Sequence, residues 1–223
     1  MEIDKIIDEL KSKRKVFFSE SDFQFALAWK IQRHYAKKNI EADIRLEYCF
    51  QDKDDNKNKY IDIIVKLENT IYPIELKYKT LSFLNEKTKS RTVKDNNEYY
   101  NLKNQGAQDL GRYDYLKDIQ RIEQFSKNKD YEKDFECGYA ILLTNDKLYW
   151  SETNRDTIDK QFRIDNGFIK TGKLVWTGGA TGTTKDRTEA IKLNGKYEIN
   201  WKDYHKFDGV KNGEFKYCLN VIR

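Results

Sequence analysis

The stretch YIDIIVKLENTIYPIELKY, residues 60–78, constrains the fold more than any other part of the chain. Two runs rich in β-branched and aromatic residues, YIDIIVKL and IYPIELKY, flank a short polar turn at Glu68 and Asn69 and read as a β-hairpin. With those two residues as the loop, Asp62 falls opposite Glu75 and Tyr60 opposite Lys77. Strand alternation then puts Glu75 and Lys77 on one face, while Ile61, Ile63, Val65, Ile74 and Leu76 point to the other. Directly opposed residues have Cβ atoms roughly 5 Å apart, close enough for two carboxylates to share a divalent cation. The plainer reading is a half-exposed hairpin in which Asp62, Glu75 and Lys77 make surface ion pairs.

With 223 residues, the chain has room for one well-packed domain and a smaller appended lobe. Its 15 Tyr, 12 Phe and 4 Trp supply enough bulky core material to exclude a disordered chain. A net charge of +5, from 42 basic against 37 acidic residues, permits a polyanionic partner without demanding one. Cys49, Cys137 and Cys218 are widely spaced and odd in number, with no CxxC. They indicate neither a disulfide framework nor a zinc site, which fits a reducing cytosol. The opening MEIDKIIDELKSKRK is charged throughout and has no signal-peptide core. No run approaches the ~20 apolar residues of a membrane span, so the expected location is cytoplasmic.

Along the chain, a short helix over about residues 2–12 precedes a longer one that Ser19, with Asp22 three residues on, or Ser21 caps and that runs to about Lys38. DIRLEYCF alternates as a strand and leads through the polar turn QDKDDNKNK into the hairpin. Residues 80–101 are polar and basic, and are expected to form a long mobile loop carrying Lys87, Lys89, Arg91 and Lys94. GAQDLGRYDYLKDIQRIEQF reads as a second long helix and GYAILLT as a buried strand. From about Ser151 the chain turns β-rich, with a Gly- and Thr-rich loop, WTGGATGTTKDR, that lacks the lysine offset and context of a P-loop. The order helix, strand, strand, strand, helix, strand predicts an α/β fold, a mixed central β-sheet flanked by helices. On this reading residues 1–150 form the core, and 151–223 a β-rich C-terminal extension packed on the same domain.

The hairpin acids make chemical sense as a phosphodiesterase site. Asp62 and Glu75 would hold Mg²⁺, with the carbonyl of Leu76 as a further oxygen ligand. Lys77 would orient or deprotonate the attacking water and offset phosphate charge. Two helices bear on this reading. Glu20 shares a face with Gln24, Leu27 and Ile31, so it is either an N-terminal cap or a third acid at the site. On the later helix Gln108, Arg112, Tyr115, Ile119 and Ile122 share a face; Arg112 either meets phosphate or pairs with a core carboxylate. His34 and His205 are far apart and carry no ligand or nucleophile spacing, and Trp29, Trp150, Trp176 and Trp201 read as core.

A helix with Glu20, a strand with Asp62, then Glu75-Leu76-Lys77 on the next strand and a helix with a polar inward end together resemble the PD-(D/E)XK nuclease superfamily. The similarity covers about residues 15–145, and the proline before the aspartate is absent, since Ile61 precedes Asp62. The resemblance implies a restriction-endonuclease-like core and Mg²⁺-dependent cleavage of DNA, with Mn²⁺ as a substitute ion. It further implies Glu20, Asp62, Glu75 and Lys77 as catalytic residues, Glu20 joining the metal ligands, and DNA contacts from Gln108, Arg112, Lys87, Lys89 and Arg91. Superfamily analogy adds a role in restriction or defence against foreign DNA, and a homodimer as a candidate assembly. The alternative is a catalytically inactive nucleic-acid-binding or assembly module on the same fold.

Overall fold

The computed structural model describes residues 1–52, 56–153, 155–179, 182, 184 and 186–223. Lys53, Asp54 and Asp55 of the polar turn lie outside the described residues. So do Asn154 and, in the Gly/Thr-rich loop, Ala180, Thr181, Thr183 and Lys185. The helices are α1 (Ile3–Lys11), α2 (Glu20–Ala36) and α3 (Gln108–Ser126). The first seven strands are β1 (Ala42–Gln51), β2 (Asn58–Leu67), β3 (Thr70–Lys79), β4 (Leu84–Asn85), β5 (Val93–Asp95), β6 (Glu98–Tyr100) and β7 (Gly138–Thr144). Then follow β8 (Ile169–Leu174), β9 (Ile191–Glu198), β10 (Trp201–Lys206), β11 (Val210–Lys211) and β12 (Glu214–Ile222).

The fold is α/β, built on a mixed six-stranded sheet in the order β1-β2-β3-β7-β12-β10. Only β3 and β7 run parallel, because the α3 crossover separates them in sequence; the other neighbours are antiparallel. GYAILLT is buried at every residue of β7, as expected of a strand covered on both faces. On one face α1 and α2 pack Ile6, Leu10, Phe23, Leu27 and Ile31 against Ile74, Leu76, Ile141 and Leu143. On the other, α3 packs Tyr115, Ile119 and Ile122 against Ala140, Leu142 and Cys218. The antiparallel β8–β9 ribbon lies over α3, pinned by Glu123, whose carboxylate accepts from Asn194 N, Gly195 N and Tyr197 Oη. Gly138 has no side chain for a steric reason: a Cβ there would sit 2.3 Å from Ile122 Cγ2 and 3.0 Å from Pro73 Cγ.

Ser19 caps α2, its Oγ accepting from Asp22 N at 3.1 Å, which sets Glu20 as the first helical residue. The β2–β3 hairpin turns at Glu68, whose φ of 53° closes the two-residue loop, and pairs Leu67 with Thr70 through Ile63 with Ile74. Beyond that pair the two strands part, and Tyr60 pairs with Cys49 of β1 instead of lying opposite Lys77.

Three expectations need correction. The hairpin does not have one greasy face and one solvated charged face, since α2 and α3 cover both. Ile63, Val65, Ile74 and Leu76 face α2, whereas Ile61 joins Ile64, Ile71 and Phe125 on the α3 side. Strand alternation breaks at Asp62, where β2 leaves β3 and Glu47 of β1 adopts a φ of 50°. The segment after Lys79 is not one long mobile loop. It contains a β5–β6 hairpin turned by Asn96 and Asn97, both at positive φ, and β4 pairs with β11; buried Val93, Tyr100 and Leu102 anchor it. Trp29 is not core, being 65% exposed on the outer side of α2.

Residues 151–223 supply β12 and β10 of the central sheet, with β12 paired along the whole of β7. A chain ending at Glu198 would expose Ile141, Leu142 and Leu143 along an unpaired strand. Circular dichroism melting should show that the cooperative transition is lost; a cooperative melt within a few degrees of the full chain would contradict this placement.

Candidate functional site

The parting of β2 from β3 leaves a gap in the ladder just where the sequence puts its acids. On β3, Ile71 N donates to Asp134 O on the β7 side, so alternate residues, Leu76 and Tyr78 among them, point their N–H groups toward the missing β2. Two carboxylates take the place of the strand: Asp62 Oδ2 accepts from Leu76 N at 2.6 Å and Glu20 Oε2 from Tyr78 N at 2.7 Å. Gln24, one turn along α2 from Glu20, donates from Nε2 to the Asp62 carbonyl at 2.7 Å and to Glu47 Oε1 at 2.8 Å. The first turn of α2 thus clamps the fork open.

Around the fork lie four carboxylates and two cations. Glu75 is fully buried, and its Oε1 accepts from Arg121 Nη1 at 2.7 Å. Lys77 Nζ lies 2.8 Å from Asp118 Oδ2 and donates to the Leu76 carbonyl at 3.0 Å. Asp118 Oδ1 lies 3.2 Å from Arg121 Nη1. Glu75 Oε2 is buried without a hydrogen-bond donor. Asp62 and Glu75 are close enough for each charge to bear on the other's ionisation.

The electrostatics follow from burial. Burial, then the Asp118 charge, pushes Glu75 well above the ordinary glutamate value against the pull of Arg121. Burial likewise raises Asp62 and Asp118, with Lys77 opposing in both cases. Burial alone would lower Lys77; Asp118, Glu20, Asp62 and Glu75 overcome it and hold Lys77 above the ordinary lysine value. Arg121 is raised in the same way, burial opposing and Glu75 and Asp118 prevailing. Glu20, Asp62, Glu75 and Asp118 against Lys77 and Arg121 leave a formal excess of two negative charges when all are ionised.

These residues suit a hard divalent cation. Glu75 Oε2 is buried and unpartnered, Asp62 lies near it, and the carboxylates outnumber the cations. Among the described residues, no group of three or more His, Cys, Asp or Glu side chains is placed to hold a metal by itself. A pair of carboxylates completed by water and phosphate oxygen is the usual demand of Mg²⁺, not of a closed protein cage. The Leu76 carbonyl, expected as a ligand, accepts from Lys77 in this arrangement.

Glu20, Asp62, Glu75 and Lys77 thus come together. Gln108 and Arg112 are engaged elsewhere: Gln108 Nε2 donates to Asp146 Oδ2 at 2.7 Å, while Arg112 pairs with buried Asp159 and donates to the Leu148 carbonyl at 2.6 Å. Of the two readings for Arg112, the core ion pair is what the structure contains. Lys87, Lys89 and Arg91 are exposed and make no contact with the fork. From α3 the site instead receives Asp118 and Arg121, which the sequence reading passed over. A signal existed, because Gly111, Tyr115, Asp118, Ile122 and Phe125 form a buried stripe interrupted by one charged residue. Among the described residues no helix is long and apolar enough to cross a membrane. No family model, curated protein or solved structure matches this chain.

Raised carboxyl values in the folded state mean that these groups favour folding below the unfolded carboxylate range and lose that contribution as pH rises through the folded values. In chelator-treated protein the melting temperature should therefore fall as pH climbs from about 4 toward neutrality. The fall should be shallower in Glu75→Gln, and Mg²⁺ should reverse it in the parent. Equal slopes in the two proteins would show that Glu75 ionises without penalty.

Proposed function

We propose that this chain is a metal-dependent nuclease of the PD-(D/E)XK type that hydrolyses DNA phosphodiester bonds. The single observation that carries the reading is the fork: Asp62 and buried, half-partnered Glu75 lie near each other and near Lys77 where β2 separates from β3. Apart from the short β4, β5 and β6 between β3 and α3, the order α2–β1–β2–β3–α3–β7 gives the helix, three strands, helix and strand that such a core uses, and it supports the same reading.

Asp62 and Glu75 would hold Mg²⁺ through Asp62 and the free Glu75 Oε2, with Glu20 at the rim. When bound, the ion lowers the pKa of a coordinated water and neutralises charge on the scissile phosphate. Lys77, 15% exposed and held as an ammonium by Asp118, orients the attacking water and donates to phosphate oxygen rather than serving as a base. Asp118 is a positioning residue that fixes Lys77 and Arg121 at once. Arg121, 27% exposed, is the helix-borne cation able to meet phosphate, the part first assigned to Arg112. The exposed Lys87, Lys89 and Arg91 would meet the DNA backbone beyond the site.

Incubation with supercoiled, linear and single-stranded DNA should give cleavage with Mg²⁺ or Mn²⁺ and none with chelator. Lys77→Ala and Glu75→Gln should each reduce the rate by roughly 10²- to 10⁴-fold, with the fold intact by circular dichroism. Full activity in either variant, or no cleavage of any substrate by the parent, would overturn the proposal.

A further inference from the structure

The outer side of α2 carries two large aromatic side chains that the core does not use. Phe25 is 62% exposed and Trp29, one turn later, 65%. Together with Ala28 of α2 and the Ala42–Leu46 stretch of β1 they line one groove. Among the described residues β1 is the outermost strand on this side of the sheet, pairing with β2 and with nothing beyond. An unpaired edge bordered by exposed aromatics is a surface suited to strand addition.

The edge is usable over a short, defined length. Ala42, Ile44 and Leu46 pack against the core cluster that α2 joins, while Asp43 and Arg45, alternating with them along the strand, are ion-paired with each other. Glu47 ends the regular stretch, since its φ of 50° and its bond from Gln24 prevent an extended ladder from continuing. This five-residue segment is self-complementary about Ile44. We propose that a second copy of this chain pairs antiparallel with β1 across a two-fold axis at Ile44. Asp43 then faces the partner's Arg45, Ala42 faces the partner's Leu46, and Trp29 and Phe25 are covered from both sides.

The two registers displaced toward Glu47 fail on charge or geometry. An axis at Arg45 sets Arg45 against the partner's Arg45 and Asp43 against the partner's Glu47, both repulsive. An axis at Leu46 needs Glu47 in extended form, which its backbone does not adopt. The isologous register also closes on itself, so pairing yields a dimer and not a fibre. The pairing is independent of the chemistry proposed for the fork.

Sedimentation equilibrium from micromolar to near-millimolar protein should give a mass of two chains. Arg45→Asp sets like charges together twice and should weaken the dimer by roughly tenfold or more. The exchange Asp43→Arg with Arg45→Asp should restore it, with far-UV circular dichroism confirming the fold. Trp29→Ala, which removes a ring exposed in the single chain, should weaken association while leaving the melting temperature unchanged at concentrations where the parent is a single chain. A single-chain mass throughout, higher-order species, or an Arg45→Asp dimer as tight as the parent would each overturn the proposal.

Discussion

Two backbone N–H groups organise this molecule. Leu76 and Tyr78 belong to a strand whose neighbour has turned away, and each buried donor left unmet would cost about 1–3 kcal/mol. Asp62 and Glu20 meet them, so carboxylates substitute for a strand at the deepest point of the sheet. Once two acids are fixed there, the rest of the cluster follows from charge balance. Glu75 is drawn against Arg121, and Lys77 against Asp118. α3 supplies both counter-groups from consecutive turns, which ties the crossover helix to the fork it covers.

The cluster is costly as it stands. Removing several charges from water is unfavourable unless each is paired, and the carboxylates outnumber the cations here. The raised carboxyl values and the orphaned Glu75 oxygen are two expressions of that imbalance. A fold that sought stability alone would fill this space with apolar side chains. On the proposed nuclease reading, a divalent ion would supply the missing positive charge.

Much of this was legible in the sequence, and the losses have physical causes. The hairpin register through Ile63 and Ile74, the Ser19 cap and the fully apolar β7 all rest on local patterns, and the structure contains each of them. The divergence at Asp62 was not readable, because it depends on Glu47 in the neighbouring strand and on Gln24 in α2. Arg112 was misleading for a related reason. A buried arginine on a helix face announces a carboxylate partner but not its address, and Asp159 lies far along the chain. Asp118 carried the same kind of signal on the adjacent stripe, one turn below Tyr115.

The central claim is that the fork between β2 and β3 is a divalent-cation site formed by Asp62 and Glu75. Anomalous diffraction from crystals soaked in Mn²⁺ tests it most directly. The account predicts one dominant anomalous peak between Asp62 and the Glu75 Oε2 position, lost in Glu75→Gln. A fork without a peak while Mn²⁺ occupies other sites, or one in which Arg121 fills the gap between the two carboxylates, would contradict it.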